Sequence, residues 1–111
     1  MSDKISEIKF TVHLDENRLP AKIDWSASDA GFAGDKKCKG IMVSIFDEQE
    51  KSTLKIDLWT KDMMVDEMNR FFAETLMTMA DTYIKATGDK AITDSIREFG
   101  TTFAKKTGVI S

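Results

Sequence analysis

The sequence predicts an α+β fold with the element order ββββαα. Apolar residues recur at every second position in the first half of the chain and with helical spacing in the second half. With 111 residues and one proline, the chain has the length of one domain without a linker, spanning residues 1–111. We therefore expect a four-stranded antiparallel sheet with two C-terminal helices on one of its faces.

The first two strands are predicted to form a hairpin. Apolar and polar residues alternate over residues 8–14 and again over 21–27, on either side of a polar turn. When Leu14 lies opposite Ala21, every apolar side chain of both segments falls on one face. The following segment, 28–39, is rich in glycine and lysine and is predicted to be a mobile loop. It contains Phe32 and Cys38.

A second hairpin is predicted from residues 40–47 and 53–60. In this pairing Val43 faces Ile56, and the apolar residues again share one face. Trp59 falls opposite Gly40 on the other face, which also carries Met42 and Phe46.

Two helices are predicted after the second hairpin. From Val65 the apolar period changes to 3.6, which indicates a helix of about 23 residues ending at Gly88. Asp89 is a suitable N-cap for a second helix that ends at Gly108. The apolar residues of the second helix are Ile92, Ile96, Phe99 and Phe103.

Charge and hydropathy argue against nucleic acid and membrane partners. The net charge is −3, both signs are mixed along the chain, and no block of basic residues occurs. The longest near-continuous apolar run, residues 41–46, is far shorter than the ~20 residues that span a bilayer. The N-terminal residues lack the apolar stretch of a signal peptide, and a single cysteine cannot form an internal disulfide. We therefore expect a cytoplasmic protein that binds no nucleic acid and does not insert into membranes.

Few side chains in this sequence are suited to catalysis. His13 is the only histidine and falls on the polar face of the first strand, where a surface role is typical. Cys38 lies between Lys37 and Lys39, whose charges could lower the pKa of its thiol and make it reactive. The histidines and cysteines are too few for a zinc site, and no glycine-rich phosphate loop occurs. The sequence therefore predicts a protein that is not an enzyme and holds no metal or cofactor.

Apolar side chains beyond the needs of the predicted core indicate a protein-binding surface. Five of the seven methionines lie within residues 63–79, and methionine is common in adaptable binding grooves. Alternatively, they fill the core under the first helix, and Trp59 covers Gly40. The first helix is longer than the strands, so a homodimer or another protein could bury its overhang. The predicted binding residues are Met42, Phe46, Trp59, Met63, Met64 and Phe71.

Two segments carry a family resemblance. They are residues 6–27, SEIKFTVHLDENRLPAKIDWSA, and residues 54–89, LKIDLWTKDMMVDEMNRFFAETLMTMADTYIKATGD. Both are similar to the GldC family of gliding motility proteins of the Bacteroidota, most specifically in the run WTKDM at 59–63 followed by VDEM at 65–68. The resemblance implies a cytoplasmic accessory protein of the gliding machinery or its associated protein export. It implies no enzymatic activity and no site residues.

Two functions therefore remain open. The first is a non-catalytic accessory factor that binds a protein of the gliding or secretion apparatus. The second is a chaperone-like module that holds hydrophobic client segments, since the bacterial export chaperone SecB has the same order of elements. That second likeness is one of layout alone, and a layout does not determine a function.

Overall fold

A computed structural model describes residues 4–29, 31 and 34–111 of the chain. Five strands precede two helices, which confirms the predicted α+β class. The elements are β1 Ile8–Leu14, β2 Pro20–Ala27, β3 Lys36–Cys38, β4 Gly40–Phe46, β5 Thr53–Trp59, α1 Val65–Thr87 and α2 Lys90–Thr107. The described residues divide into two compact units, a strand-bearing unit that ends at Met63 and a helical unit that begins at Met64. The predicted placement of the helices on a face of the sheet stays a prediction.

β1 and β2 form the first predicted hairpin. Val12 lies opposite Ile23, as the alternation of apolar residues predicts. Leu14, however, lies opposite Pro20 and not opposite Ala21, because the register shifts at the end of β1. The shift places the proline, which has no N–H to donate, at the first position of β2.

Asp15 organises the turn between β1 and β2. Its Oδ1 accepts hydrogen bonds from the N–H groups of Asn17 at 2.8 Å and Leu19 at 3.0 Å. Its Oδ2 accepts a hydrogen bond of 2.9 Å from Nζ of Lys61. These bonds, first from Leu19 and then from Lys61, lower the pKa of the Asp15 carboxyl. The charged form of Asp15 therefore holds the turn and ties it to the segment after β5.

The single four-stranded sheet predicted from the sequence is wrong. β3 pairs with β2 to complete a three-stranded sheet in the order β1-β2-β3, whereas β4 pairs with β5 in a separate two-stranded sheet. Lys39 alone separates β3 from β4. The segment 36–46 thus divides its backbone hydrogen bonds between two neighbours. Alternation cannot reveal this division, because an alternating strand has the same polarity pattern whichever strand it pairs with.

The predicted loop over residues 28–39 also requires a correction. Residues 36–38 belong to a strand, in which Cys38 lies opposite Ile23. Phe32, which the loop was predicted to carry, lies outside the described residues. One backbone bond then joins the two sheets, because the N–H of Lys61, directly after β5, donates to the carbonyl of Pro20 in β2 at 3.0 Å.

The second hairpin has the predicted register. Val43 lies opposite Ile56, and Gly40 lies opposite Trp59. Each strand is one residue shorter than predicted, ending at Phe46 and at Trp59. At the turn, the Asp47 carboxylate accepts hydrogen bonds from two following backbone N–H groups, at 2.7 and 3.1 Å.

Both helices end where the sequence predicts. The carboxylate of Glu67 accepts a hydrogen bond of 2.9 Å from the Met64 N–H at the start of α1. Gly88 and Gly108 end α1 and α2 with φ values of 71° and 81°, in the left-handed region that glycine adopts without strain. Asp89 caps α2 by accepting a hydrogen bond of 3.1 Å from a first-turn N–H.

Small residues allow α1 and α2 to pack closely. A Cβ added to Gly100 would lie 2.8 Å from Sδ of Met77, so the absence of a side chain permits the contact. Arg97 of α2 donates to Asp81 of α1 at 2.8 Å. The buried residues of the helical unit are Ala73, Ala80, Thr93, Gly100 and Ala104.

Candidate protein-binding surface

Three of the six predicted binding residues are exposed and three are half-buried. The exposed ones are Phe46 at 68%, Trp59 at 54% and Met64 at 63%. The half-buried ones are Met42, Met63 and Phe71. Whether any of the six binds a partner stays a prediction.

Met42, Phe46 and Trp59 share one face of the second hairpin. Trp59 lies opposite Gly40 and Phe46 lies opposite Thr53, and residues at even positions of β4 project to the same side as residues at odd positions of β5. This places one aromatic side chain near each end of the face. We call it the aromatic face of the β4–β5 hairpin.

Charged residues occupy the centre of the aromatic face. Lys55 and Asp57 lie on β5 between its two ends, and Nζ of Lys55 is 3.7 Å from the Asp57 carboxylate. Both side chains are exposed, so the pair contributes little to stability. A binding partner would therefore meet two apolar anchors flanking one positive and one negative group.

A cleft lies beside Trp59. It has a volume of about 300 Å³ and is lined by Leu19, Pro20, Asp57, Leu58, Trp59 and Lys61. The N–H of Lys61 is held by the Pro20 carbonyl, and its Nζ is held by Asp15. The cleft is thus a preformed recess of the strand-bearing unit, with an indole wall that extends the aromatic face.

Exposed apolar residues also occur on the opposite face of the same hairpin, where the sequence predicted core. Leu54 is 54% exposed and Ile56 is 51% exposed, although Ile41 on that face is buried. Sequence reasoning missed these residues as part of an accessible surface. The alternating pattern carries no signal for it, because a strand face has the same composition whether its cover comes from this chain or from another.

The helical unit has a groove of its own. The groove has a volume of about 720 Å³ and runs between α1 and the C-terminal part of α2. Met77, Ala104 and Ile110 contribute to its apolar lining, and Asp66 and Arg70 lie on its wall. Spacing alone did not indicate this groove, because it depends on how closely Gly100 allows the two helices to approach.

The two residues considered for catalysis do not form a pair. His13 lies opposite Lys22, and its Nε2 is 3.0 Å from the Asp24 carboxylate. Cys38 lies opposite Ile23 and therefore projects to the other side of the same sheet. Burial raises the pKa of the Cys38 thiol, which is opposite to the lowering expected from its lysine neighbours. Among the residues that the structure describes, no group of three or more His, Cys, Asp and Glu side chains could hold a metal ion.

Comparisons with known proteins identify a family. Residues 20–109 match the model of a family described as gliding motility-associated protein GldC-like. No curated protein and no solved structure matches significantly. Within the described residues, neither helix combines the length and the apolar character needed to cross a membrane.

Proposed function

Because this chain belongs to the GldC-like family of gliding motility-associated proteins, we propose that it serves gliding as a cytoplasmic accessory protein. In this role it binds another protein of the gliding machinery, or of the protein export associated with it, and it catalyses no reaction. The exposure of Phe46 and Trp59 on the aromatic face is the observation that carries the proposal.

The chemistry of the aromatic face supports recognition of a protein. Solvated faces of antiparallel sheets are usually polar, so an exposed aromatic residue at each end is unusual for a surface that meets only water. Aromatic side chains are enriched among the few residues that dominate the binding energy of an interface. Truncating such a dominant residue to alanine typically weakens binding by about 2 kcal/mol or more. Lys55 and Asp57 between them would orient a partner of complementary charge.

The proposal is tested in the native bacterium with a deletion strain and complementing variants. The double variant Phe46→Ser/Trp59→Ser should fail to restore gliding and should no longer retain a motility or envelope-assembly protein in affinity purification. The variant Phe99→Ser, which removes an exposed aromatic residue of α2, serves as the matched control and should behave as the wild type. Full gliding by the Phe46/Trp59 variant, at normal protein abundance, would refute the proposal.

The same strain tests the absence of catalysis. The double variant His13→Ala/Cys38→Ser removes the two side chains considered for chemistry and should complement fully. His13 and Cys38 project from opposite sides of the sheet, which supports this expectation. Loss of gliding by this variant, with unchanged folding by circular dichroism, would indicate that one of the two groups is required.

A second candidate function is a chaperone-like module that holds hydrophobic client segments. The observation that favours it is the extent of exposed apolar side chains on both sheets, including Ile8, Leu14, Leu54 and Ile56. Such a module should bind a hydrophobic dye and suppress aggregation of several unrelated model clients, and Trp59→Lys should weaken both effects. An accessory factor with a dedicated partner would leave those clients unprotected.

A further inference from the structure

The outer edge of β5 has an open row of backbone groups. In the part of the chain that the structure describes, β5 pairs with β4 alone. The ladder bonds from Thr60 to Lys39 and from Asp47 to Ser52 show that the even-numbered residues of this segment bond toward β4. The odd-numbered residues therefore direct their N–H and C=O groups to the open edge. These residues are Thr53, Lys55, Asp57 and Trp59.

The sequence of β5, TLKIDLW, is nearly symmetric about Ile56. If a second copy pairs with it in antiparallel orientation about that residue, Leu54 of each copy faces Leu58 of the other. Lys55 of each copy then faces Asp57 of the other, and Thr53 faces Trp59. Every outward-directed backbone group meets a partner, and two cross-strand pairs of opposite charge form.

The charges of β5 also disfavour the neighbouring registers. Sliding the second copy by two residues in one direction places Lys55 opposite Lys55, and sliding it the other way places Asp57 opposite Asp57, both unfavourable. A slip of one residue would bring Leu54 and Ile56 onto the side of the charged residues. Among the registers within two residues of it, the pairing centred on Ile56 is therefore the one that satisfies both the charges and the faces.

β1, an outer strand of the three-stranded sheet, lacks this symmetry. Antiparallel pairing of two copies about its central residue, Thr11, would place Lys9 opposite His13 and so bring two basic groups together. The β1 and β5 edges thus differ in charge complementarity, although apolar side chains are exposed on both strands.

We propose that two copies of this chain form a homodimer by pairing their β5 edges about Ile56, which joins the two hairpins in a four-stranded antiparallel sheet. This assembly goes beyond the proposed motility role and needs no other protein, so it is tested with the purified chain alone. The pairing also covers the exposed edge of β5, and natural proteins commonly cover or protect such edges because their unpaired backbone groups can bind other chains.

Charge exchange provides the first test. Sedimentation velocity of the wild type should show a species of twice the 12.5 kDa mass of one chain. Asp57→Lys places lysine opposite lysine in both cross-strand pairs and should raise the dimer Kd by about tenfold or more, as should Lys55→Asp. The double exchange Lys55→Asp/Asp57→Lys restores complementary pairs and should restore the dimer. Lys9→Asp makes the same charge change on β1 as Lys55→Asp makes on β5. It is the matched control and should leave the dimer intact.

Mixing the two single variants tests the register directly. Lys55→Asp and Asp57→Lys chains are each predominantly monomeric, but together they form complementary pairs and should associate as a heterodimer. A wild type that remains monomeric at high concentration would overturn the proposal. A dimer that persists in both single variants would also overturn it, since the interface would then lie elsewhere.

Disulfide trapping is the second test and uses a Cys38→Ser background. Facing residues of a non-hydrogen-bonded pair have Cα atoms about 4.5 Å apart, within the range that a disulfide spans. Ile56→Cys should therefore crosslink two chains under mild oxidation. Leu54→Cys alone should not, because the two copies of residue 54 would lie roughly 13 Å apart along the strands. Equal crosslinking at both positions would contradict the register.

Discussion

Ile23 is the largest fully buried apolar side chain among the described residues of the strand-bearing unit. The loss of stability when it is shortened therefore tests whether Ile23 forms the core of that unit. Ile23→Val removes one methylene group, whose transfer from water is worth about 0.8 kcal/mol, and should lower the free energy of unfolding by about 0.5–1.5 kcal/mol. Ile23→Ala removes three carbon atoms and leaves a cavity, for an expected loss of about 2–5 kcal/mol.

Ile8 provides the matched control. It has the same side chain and lies in the same sheet, but it is 70% exposed whereas Ile23 has no exposed surface. Ile8→Ala should therefore change the free energy of unfolding by less than about 0.5 kcal/mol. The contrast between the two alanine variants isolates burial from residue type and strand propensity.

Urea unfolding followed by tryptophan fluorescence is the suitable assay, because both tryptophans, Trp25 and Trp59, lie in the strand-bearing unit. With a slope of about 1–3 kcal/mol per molar urea, Ile23→Ala should lower the unfolding midpoint by about 1 M or more. All variants are compared at one protein concentration, because self-association makes apparent stability depend on concentration. Comparable losses for Ile8→Ala and Ile23→Ala would refute the assignment of the core to Ile23.

Three further predictions concern the two helices and the loss of stability at low pH. Asp89→Ala removes the N-cap of α2 and should lower the free energy of unfolding by about 1 kcal/mol, measured by thermal unfolding with circular dichroism at about 222 nm. Asp89→Asn keeps an acceptor oxygen and should lower it less. Equal losses for the two variants would contradict the cap. Gly100→Ala forces a Cβ against Met77. The change that it causes in the free energy of unfolding should therefore be more favourable by about 0.5–3 kcal/mol in a Met77→Ala background than in the wild type. Equal changes in the two backgrounds would count against that contact. The pKa of Asp15 is lowered in the folded chain by bonds from Leu19 and Lys61. The contribution of Asp15 to the free energy of unfolding is therefore fully present above the pKa that its carboxyl has in the unfolded chain. It is lost as the pH falls through the lower pKa of the folded chain. Asp15→Asn should flatten the loss of stability below about pH 4, and an unchanged acid limb in urea unfolding would contradict this role.

The helix bounds and most of the strand registers followed from the sequence because they depend on neighbouring residues. Gly88 and Gly108 end helices through their own backbone freedom, and Asp89 caps through its own side chain. The register of the second hairpin follows from alternation, since a slip of one residue would turn every side chain to the other face. The family resemblance was equally local, and it is confirmed by the match over residues 20–109.

Only the tertiary structure decided how the strands share partners and which apolar residues stay exposed. The division of the segment 36–46 at Lys39 and the cleft beside Trp59 depend on contacts between residues far apart in sequence. The pKa of Cys38 is raised by burial in β3 although two lysines flank it. The physical reason is the same in each case. Local pattern specifies which face of an element is apolar, but burial and pairing depend on what occupies the space beside that face.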